Sequence, residues 1–465
     1  MSARLSNLTL SQATPAALRP RYDRAAAQIG VVHFGPGAFH RAHQAFYFDR
    51  MLERSPAWAV SGVSLRSPAL REALAPQDGL YVLTEREAEP TYRVIGAMTE
   101  VLTAAEAPEA VFARLASPQV RLVTSTVTEK GYCLTPAGDL DETHPDVRHD
   151  LARADVPASF VGWLVEGFAH RRAAGLSPFV VAPCDNLADN GGRLRRATLQ
   201  FARALGRADV ADWIEGEAHF ASTMVDSITP ATDDILRAQV EAAVGLHDAW
   251  PVQREGFIQW VVEDVVGGVG AELAEAGVTL TADVAAFERA KLRLLNGAHS
   301  TLAYVGLAKG HESVADAMAD PELSAFVERL MREDIAPTLG EVRGLDVPAY
   351  IGAVLARFRN PAIVHKLSQI AWDGSQKLPF RILHTTVDAL AQGRSVERLA
   401  VPVAAWMRFV ERRAAAGVEI VDPLADRLAR TRGIDGFLQL NAVFPRDLAA
   451  DRAWRSAVEA AYAAL

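Results

Sequence analysis

The chain has 465 residues, half of them hydrophobic, and a formal net charge of −9. This length favours two domains with sizeable cores, and the acidic balance argues against nucleic acid or a membrane surface as partner. Two cysteines do not suggest a disulfide framework, and neither a signal-peptide core nor an apolar run of membrane-spanning length is present. We therefore expect a cytoplasmic protein.

The first half of the chain alternates short Val-rich apolar runs with helical stretches. Such runs are typical of a parallel sheet that is buried on both faces. The stretch "GLYVLTERE…TYRVIGAM" predicts an added hairpin. We therefore predict an α/β fold in which residues 1–282 form a doubly wound, Rossmann-type domain. The predicted strands are Ile29–Phe34, Trp58–Leu65, Val120–Val127 and Pro178–Pro183.

From about residue 283 the spacing of the apolar residues changes. Segments such as "VAAFERAKLRLLNGAHSTLAYVGLAKG" and "VERLAVPVAAWMRFVERRAAAG" repeat apolar residues at helical intervals. Few strand-like runs remain. The sequence therefore predicts a mostly α-helical domain over residues 283–465, which would carry substrate-binding and catalytic residues.

A glycine pair follows the first predicted strand. Gly35 and Gly37 allow the chain to reverse sharply and to approach a pyrophosphate, and the next helix begins there. Arg41 lies in the first helical turn, where we expect it to reach a phosphate. His40 occupies the position of a small residue, so we expect the helix to stand off slightly from the strand. An ordinary strand–helix turn is the alternative interpretation.

The wider pattern resembles the mannitol dehydrogenase family, the polyol-specific long-chain dehydrogenases, over about residues 25 to 430. The resemblance implies a metal-independent oxidoreductase that uses NAD to interconvert a secondary alcohol and a ketone on an open-chain six-carbon polyol or sugar acid. It rests on "G-x-G-x-F-H-R-x-H" (35–43), "TVTEKGYC" (126–133), "CDNLADNG" (184–191), "TMVDSITP" (223–230), "KLRLLNGAHS" (291–300) and "DGSQKLP" (373–379). With it we assign cofactor binding to Gly35, Pro36, Gly37, Ala38, Phe39, Arg41, Arg66, Thr128 and Glu129.

Three polar residues share one broad face of the predicted catalytic helix. Lys291, Asn296 and His299 project at about 0°, 140° and 80° if each residue turns by 100°. Apolar neighbours would bury this helix and lower the pKa of the lysine, which suits a general base. The resemblance implies that Lys291 takes the hydroxyl proton as hydride leaves for nicotinamide. A lysine at a helix edge with its ammonium in solvent is the alternative.

Two asparagines are candidates for stabilising the developing alkoxide. Asn296 offers two amide hydrogens, and Asn186 is the second donor that the resemblance favours. Asn190 competes with Asn186 for this role, and either amide has a structural alternative as a cap of its own loop. His299 is interpreted as a partner of a substrate hydroxyl, with a satisfied core histidine as the alternative.

Further charged residues are candidates for the substrate site. Glu288 shares the helix side of Lys291 and either tunes it, relays its proton or forms a surface ion pair. Asp226 and Lys377 match substrate positions of the family, although structural roles remain open. Arg381 or Lys377 would supply the cation that a sugar-acid carboxylate needs.

One substitution within the pattern bears on the choice of substrate. Mannitol-oxidising members tend to carry an arginine where this chain has Gln369, and the surrounding string looks more like the fructuronate reductase branch. The preferred interpretation is therefore the pair D-mannonate and D-fructuronate, with D-mannitol and D-fructose as the alternative. We expect the substrate to lie in a cleft between the domains of a monomer or small homo-oligomer.

The segment after the second strand bears on the choice of cofactor. An acidic residue there normally binds the ribose 2′-hydroxyl. In "SLRSPALRE", Arg66 comes first and no carboxylate appears before Glu72. NAD is the cofactor that the resemblance implies, and tolerance of NADP remains open.

Other chemistries fit the sequence less well. We find no zinc-binding Cys/His pattern, no H-E-x-x-H, no G-x-S-x-G, no phosphate-loop string and no Tyr-x-x-x-Lys after the fourth strand. We therefore assign no metal. A non-catalytic dinucleotide sensor on the same fold should have lost part of the Lys-Asn-His set, which is complete here.

Overall fold

The computed structural model describes residues 2–465. The chain divides into two compact units, Met1–Ala285 and Ala286–Leu465, and the division falls inside one helix. In the described part of the chain, no helix combines the length and the apolar character needed to cross a membrane.

The first unit is built around a five-stranded parallel sheet. The strands of this unit are β1 (Ala17–Leu18), β2 (Ile29–Phe34), β3 (Ala59–Ser64), β4 (Tyr81–Arg86), β5 (Thr91–Ile95), β6 (Met98–Thr103), β7 (Leu122–Ser125), β8 (Val180–Pro183), β9 (Thr223–Asp226), β10 (Val252–Glu255), β11 (Gln259–Glu263) and β12 (Thr279–Thr281). The central sheet has the order β6-β3-β2-β7-β8. In chain order, β2 is the central strand, β3 and β6 are added on one side of it, and β7 and β8 are added on the other. This is the Rossmann order.

The central strands form where apolar residues run without interruption. All residues of β2 after Ile29 are buried, as both faces of a covered parallel sheet require. The predicted hairpin is the antiparallel pair β4 and β5, with Tyr81 opposite Ile95. The sheets β1-β5-β4-β10 and β12-β11-β9 were not predicted beyond that hairpin.

Helices cover the sheets of the first unit. They are α1 (Ala38–Ala42), α2 (Gln44–Leu52), α3 (Ala69–Leu74), α4 (Pro108–Leu115), α5 (Pro145–Ala152), α6 (Phe160–Ala173), α7 (Asn190–Ala204), α8 (Ala208–Glu217), α9 (Asp234–Val244) and α10 (Gly268–Glu275). Short 3₁₀ helices occur at Leu10–Gln12, Pro56–Trp58, Ala75–Gln77 and Glu129–Tyr132.

The described elements of the second unit are all helical, as predicted. They are α11 (Val284–Ala290), which spans the division, α12 (Gly297–Ala308), α13 (Val314–Ala319), α14 (Pro321–Arg329), α15 (Val347–Arg359), α16 (Leu367–Ile370), α17 (Gly374–Leu378), α18 (His384–Ala391), α19 (Glu397–Ala415), α20 (Ala425–Leu428), α21 (Gly433–Leu438), α22 (Arg446–Ala450) and α23 (Arg452–Ala464). A 3₁₀ helix spans Ala336–Thr338, and π-helical segments occupy Lys291–Asn296, Leu330–Ile335 and Pro379–Leu383. Helix α19 packs against both α12 and α23.

Candidate active site

The glycine turn lies where β2 ends beside β7. Gly35 has φ +81°, and a Cβ there would stand 2.5 Å from the carbonyl oxygen of Thr126. Its own carbonyl accepts hydrogen bonds from the Gly37 N–H (2.6 Å) and the Thr126 hydroxyl (2.6 Å). Gly37 then precedes α1, and no side chain caps this helix end. Its first N–H groups therefore point to a place where an anion would be stabilised.

Two buried histidines fill the space between the first strand and its helix. The rings of His33 on β2 and His40 on α1 stack with centroids 3.4 Å apart. His33 Nδ1 lies 2.7 Å from the Thr124 hydroxyl, and Nε2 lies 3.0 Å from the Thr126 hydroxyl. Burial lowers the pKa of both imidazoles, so both rings are neutral near pH 7. The ring at position 40 thus takes the space that a glycine would leave empty.

The structure buries Arg41 against neighbouring strands, so its contact with a phosphate stays a prediction. Its side chain is buried, and Nη1 donates to the carbonyl oxygen of Trp250 at 2.5 Å. The guanidinium carbon lies 5.4 Å from the centre of the Tyr81 ring and 5.5 Å from that of Trp250. These contacts desolvate the guanidinium and lower its pKa to about 10. Arg41 therefore joins the helix to neighbouring strands.

The remaining cofactor candidates lie at the same end of the sheet. Pro36 is buried, whereas Ala38 and Phe39 in the first turn of α1 are half-buried. Phe39 stacks on His43 with ring centroids 4.9 Å apart. Arg66 follows β3, and its side chain is 73% exposed and paired with Asp146. Its guanidinium is thus accessible from solvent.

The loop after β7 is held by a buried carboxylate. Thr128 and Glu129 are exposed, and Thr128 has φ +66°, an unusual conformation for a β-branched residue. The Thr128 N–H donates to Asp185 Oδ1 at 2.6 Å, and the Tyr132 hydroxyl donates to Oδ2 at 3.0 Å. Burial raises the pKa of Asp185 to about 6. The sequence reasoning missed Asp185, although its place directly after a buried strand was a usable signal.

The two competing asparagines have different surroundings. Asn190 is buried, and its amide donates to the carbonyl oxygens of Asp185 and Thr223, both at 3.0 Å. Its Oδ1 also accepts from the Thr223 N–H at 2.9 Å. Asn186 is exposed at the carboxyl end of β8. The structure therefore engages Asn190 in the core and leaves the Asn186 side chain accessible.

The helix that carries the proposed base is wound differently from the prediction. Lys291–Asn296 is a π-helical segment between α11 and α12, and the Gly297 N–H donates to the carbonyl oxygen of Leu292, five residues earlier. A π-helical turn is wider, so Lys291 and Asn296 lie nearer to one face than the calculated 140° implies. Single π turns inside α-helices occur frequently at functional sites.

The predicted residues of this helix share one partly exposed side. Glu288, Lys291, Asn296 and His299 are each half-buried, whereas most residues between them are buried. The His299 ring stacks on Phe358 with centroids 4.9 Å apart and meets His365 edge-on at 5.5 Å. Within the second unit, Lys291, Asn296 and His299 thus lie along one helical surface.

Arg381 is brought beside the same helix. Its Nη1 lies 3.1 Å from the Ser300 hydroxyl and 3.5 Å from the carbonyl oxygen of Asn296. The approach is close, since a Cβ on Gly297 would lie 3.0 Å from the Arg381 carbonyl oxygen. Lys377 lies one turn before Arg381, and burial, followed by the Arg381 charge, lowers its pKa. In residues 2–465, neither cation forms an ion pair with a carboxylate.

Asp226, the last substrate candidate, lies at the end of β9 in the first unit. It pairs with Gln259 in the antiparallel ladder with β11 and is 4% exposed.

Comparison with known sequences identifies the family. Residues 29–271 match the Mannitol dehydrogenase Rossmann domain, and residues 283–465 match the Mannitol dehydrogenase C-terminal domain. The chain is 38% identical over 460 residues to the D-mannonate oxidoreductase of Escherichia coli, covering 96% of this chain and 94% of that protein. It is 38% identical over 446 residues to the mannitol 2-dehydrogenase of Pyrenophora tritici-repentis, covering 93% and 79%.

A solved structure agrees with this assignment. The mannitol 2-dehydrogenase of Pseudomonas fluorescens, in ternary complex with NAD and D-mannitol, superposes with a TM-score of 0.80 at 36% identity. The match covers 99% of this chain and 96% of that chain. The protein therefore belongs to the mannitol dehydrogenase family of oxidoreductases.

Proposed function

We propose that this protein is an NAD-dependent, metal-independent dehydrogenase that interconverts a secondary alcohol and a ketone on an open-chain six-carbon sugar acid, the pair D-mannonate and D-fructuronate. The Rossmann-type domain, residues 1–282 in the sequence interpretation, would bind the dinucleotide, and residues 283–465 would supply the base. The relative named D-mannonate oxidoreductase supports this substrate, whereas the equally similar relative named mannitol 2-dehydrogenase supports the alternative of a sugar alcohol.

The observation that carries the choice of a sugar acid is the pair Lys377 and Arg381. The two cations are four residues apart on a helical stretch, and like charges at this spacing repel each other. Both are substantially buried, which lowers the pKa of each. A substrate carboxylate would relieve the repulsion and accept charge-assisted hydrogen bonds. Asp373 and Asp422 already offset part of the Lys377 charge, and a neutral hexitol would add no further compensation.

The proposed mechanism assigns a role to each side chain of the helical surface. NAD held at the glycine turn, Gly35 to Gly37, would supply the acceptor for the hydride of the carbinol carbon. Lys291 Nζ takes the proton of the same hydroxyl, because no alkoxide forms readily without a base. The amides of Asn296 and Asn186 donate to the oxygen as its negative charge develops. His299 positions a neighbouring hydroxyl, and Glu288 passes the lysine proton towards solvent.

The dinucleotide fits the residues at the glycine turn. The uncapped N–H groups after Gly37 suit a pyrophosphate, and Arg66 stands where an acidic residue would reject a 2′-phosphate. We therefore propose that NAD is preferred over NADP by less than about a hundredfold, equivalent to about 3 kcal/mol. Comparison of kcat/KM for the two cofactors measures this ratio, and a preference of many thousandfold for NAD would contradict it.

A substrate screen tests the proposed function. NADH consumption is measured side by side with fructuronate, tagaturonate, fructose and xylulose, for the wild type and for Arg381→Gln. We expect fructuronate to give the highest kcat/KM, and Arg381→Gln to lower this value by a larger factor than it lowers that for fructose. A wild type that prefers fructose, with no dependence on Arg381, would support the alternative of a mannitol 2-dehydrogenase.

A further inference from the structure

The first unit contains a side-chain cluster that the proposed function does not use. The ligand atoms of Cys133, His144 and Asp146 all lie within 4.8 Å of one another. These residues come from two separate elements. Cys133 ends the 3₁₀ helix Glu129–Tyr132, whereas His144 precedes α5 and Asp146 lies in its first turn. We propose that the three side chains bind a divalent transition-metal ion of the zinc class, at a site that takes no part in the hydride transfer, which stays independent of metal.

The donor set has the composition of such a site. A thiolate, an imidazole and a carboxylate are the usual protein ligands of Zn²⁺, and three of them leave one position for water. Cys133 is buried, while His144 and Asp146 are half-buried, so water reaches one side of the cluster. Metal–ligand bonds of 2.0–2.3 Å place tetrahedral ligand atoms about 3.5 Å apart. Side-chain rotations that move these atoms by about 1 Å would bring them into that arrangement.

The existing contacts of the three residues are weak enough to exchange. His144 accepts a long hydrogen bond, 3.3 Å, from the Asp146 N–H. A neutral imidazole has one acceptor nitrogen, so a metal ion bound to the ring replaces this bond. Asp146 pairs with Arg66, whose side chain is 73% exposed and loses little by returning to solvent. In the described part of the chain, the Cys133 thiol donates a long hydrogen bond, 3.8 Å, to the Gly131 carbonyl oxygen.

The charges around the thiol favour a cation. Burial contributes most to raising the pKa of the Cys133 thiol, the carboxylates of Asp146, Asp150 and Asp141 act in the same direction, and Arg66 opposes them. Metal binding converts the thiol to a thiolate and releases its proton to solvent, with no change of oxidation state. The bound ion would join the loop that carries Thr128 and Glu129 to the start of α5. It should therefore raise the thermal midpoint of the first unit.

Spectroscopic titration of the full chain with Co²⁺ tests this site. After treatment with a chelator, we expect one equivalent of Co²⁺ to produce a near-ultraviolet thiolate charge-transfer band, which Zn²⁺ then abolishes. Cys133→Ser should remove the band. Cys184→Ser is the matched control, because Cys184 is the chain's other buried cysteine, and it should leave the band unchanged.

Three further variants distinguish a site formed by all three ligands from nonspecific binding of Co²⁺ to the thiol alone. His144→Gln and Asp146→Asn should weaken Co²⁺ binding by at least about tenfold. Mutation of a residue that only hydrogen-bonds to a metal ligand already lowers metal affinity about 10–100-fold, and loss of a ligand should cost at least as much. Arg66→Gln should tighten binding, because it removes the competitor for Asp146. The proposal fails if the band is absent, if it persists in Cys133→Ser, or if His144→Gln binds as tightly as the wild type. If Cys133→Ser does not fold, the His144 and Arg66 variants decide the question.

Discussion

The backbone conformation of the glycine turn after β2 and that of the helical surface from Lys291 to His299 are determined by different interactions. At the turn, φ +81° at Gly35 and a nearby carbonyl oxygen leave room for hydrogen only. The helical surface depends instead on packing, since Gly297 admits the backbone of Arg381 against the π-helical segment. A turn fixed by one residue fails when that residue changes. A surface fixed by packing tolerates changes of side chain, so its individual functional groups can be tested separately.

The largest effect should follow from Lys291→Ala, which removes the proposed base from an otherwise intact helix. We expect kcat/KM for oxidation to fall by roughly 10²–10⁴-fold, the usual contribution of general-base catalysis. The protein should still fold and bind NADH. The wild-type rate should rise with pH and level off, and this profile should be absent in the variant.

A matched control for this test is Lys309→Ala. Lys309 pairs with Asp320 and Glu322 at the surface, so its loss should leave activity unchanged. A Lys291 variant that keeps more than about a tenth of the activity with an unaltered pH profile would show that general-base catalysis resides elsewhere, with His299 as the next candidate.

The sequence predicted the turn better than the helical surface, for physical reasons. Glycines after a buried strand act locally, and the bounds of β2 were predicted correctly. The contacts of Arg41 depend on Tyr81 and Trp250, which are distant in sequence, so its burial against these two rings could not be predicted. The π winding could not be predicted because helical periodicity assumes one rotation for every residue.

The next prediction concerns two asparagines, since the sequence alone could not decide which of them is the second donor to the alkoxide. Asn186→Ala should lower kcat by roughly 10²–10³, as for loss of one oxyanion donor, with unchanged stability. Asn190→Ala should instead destabilise the protein by about 3 kcal/mol or more, because buried partners lose their hydrogen bonds. Steady-state kinetics and urea unfolding of both variants measure the contrast. A silent Asn186→Ala would remove that residue from the proposed mechanism.

A smaller effect tests how the glycine turn is constrained. Gly35→Ala should lower the free energy of unfolding by about 1–3 kcal/mol and weaken NADH binding, because its backbone conformation is strained for alanine. A Cβ on Gly37 meets nothing closer than the Gly35 carbonyl oxygen at 3.8 Å. Gly37→Ala should therefore keep its stability and lose cofactor affinity alone. The free energy of unfolding and the NADH affinity, from fluorescence titration, are measured for both variants. Equal losses of stability would contradict the expectation that only Gly35 is required by the backbone conformation.

The last effect, which appears only as the pH rises, concerns Asp49 on α2, the helix that follows the turn. Its Oδ1 accepts hydrogen bonds from the Tyr22 hydroxyl (2.6 Å) and the Gly96 N–H (2.8 Å). Burial raises the pKa of this carboxyl above its ordinary range, to about 6. The folded state therefore holds this proton more tightly than the unfolded state does. The resulting stability is fully present below about pH 4 and is lost as the pH rises through 6.

Asp49→Asn removes this dependence while keeping an oxygen that accepts both hydrogen bonds. We expect the variant to unfold at higher urea concentration than the wild type at pH 8, by up to about 3 kcal/mol, the equivalent of a two-unit shift. At pH 4 the two proteins should have nearly equal stability. Glu53→Gln on the same helix is the control, because Glu53 is exposed and its loss should change little at either pH. Equal stabilities of Asp49→Asn and wild type at pH 8 would show that the buried carboxylate costs the folded state nothing, and that the helix after the turn is anchored by its hydrogen bonds alone.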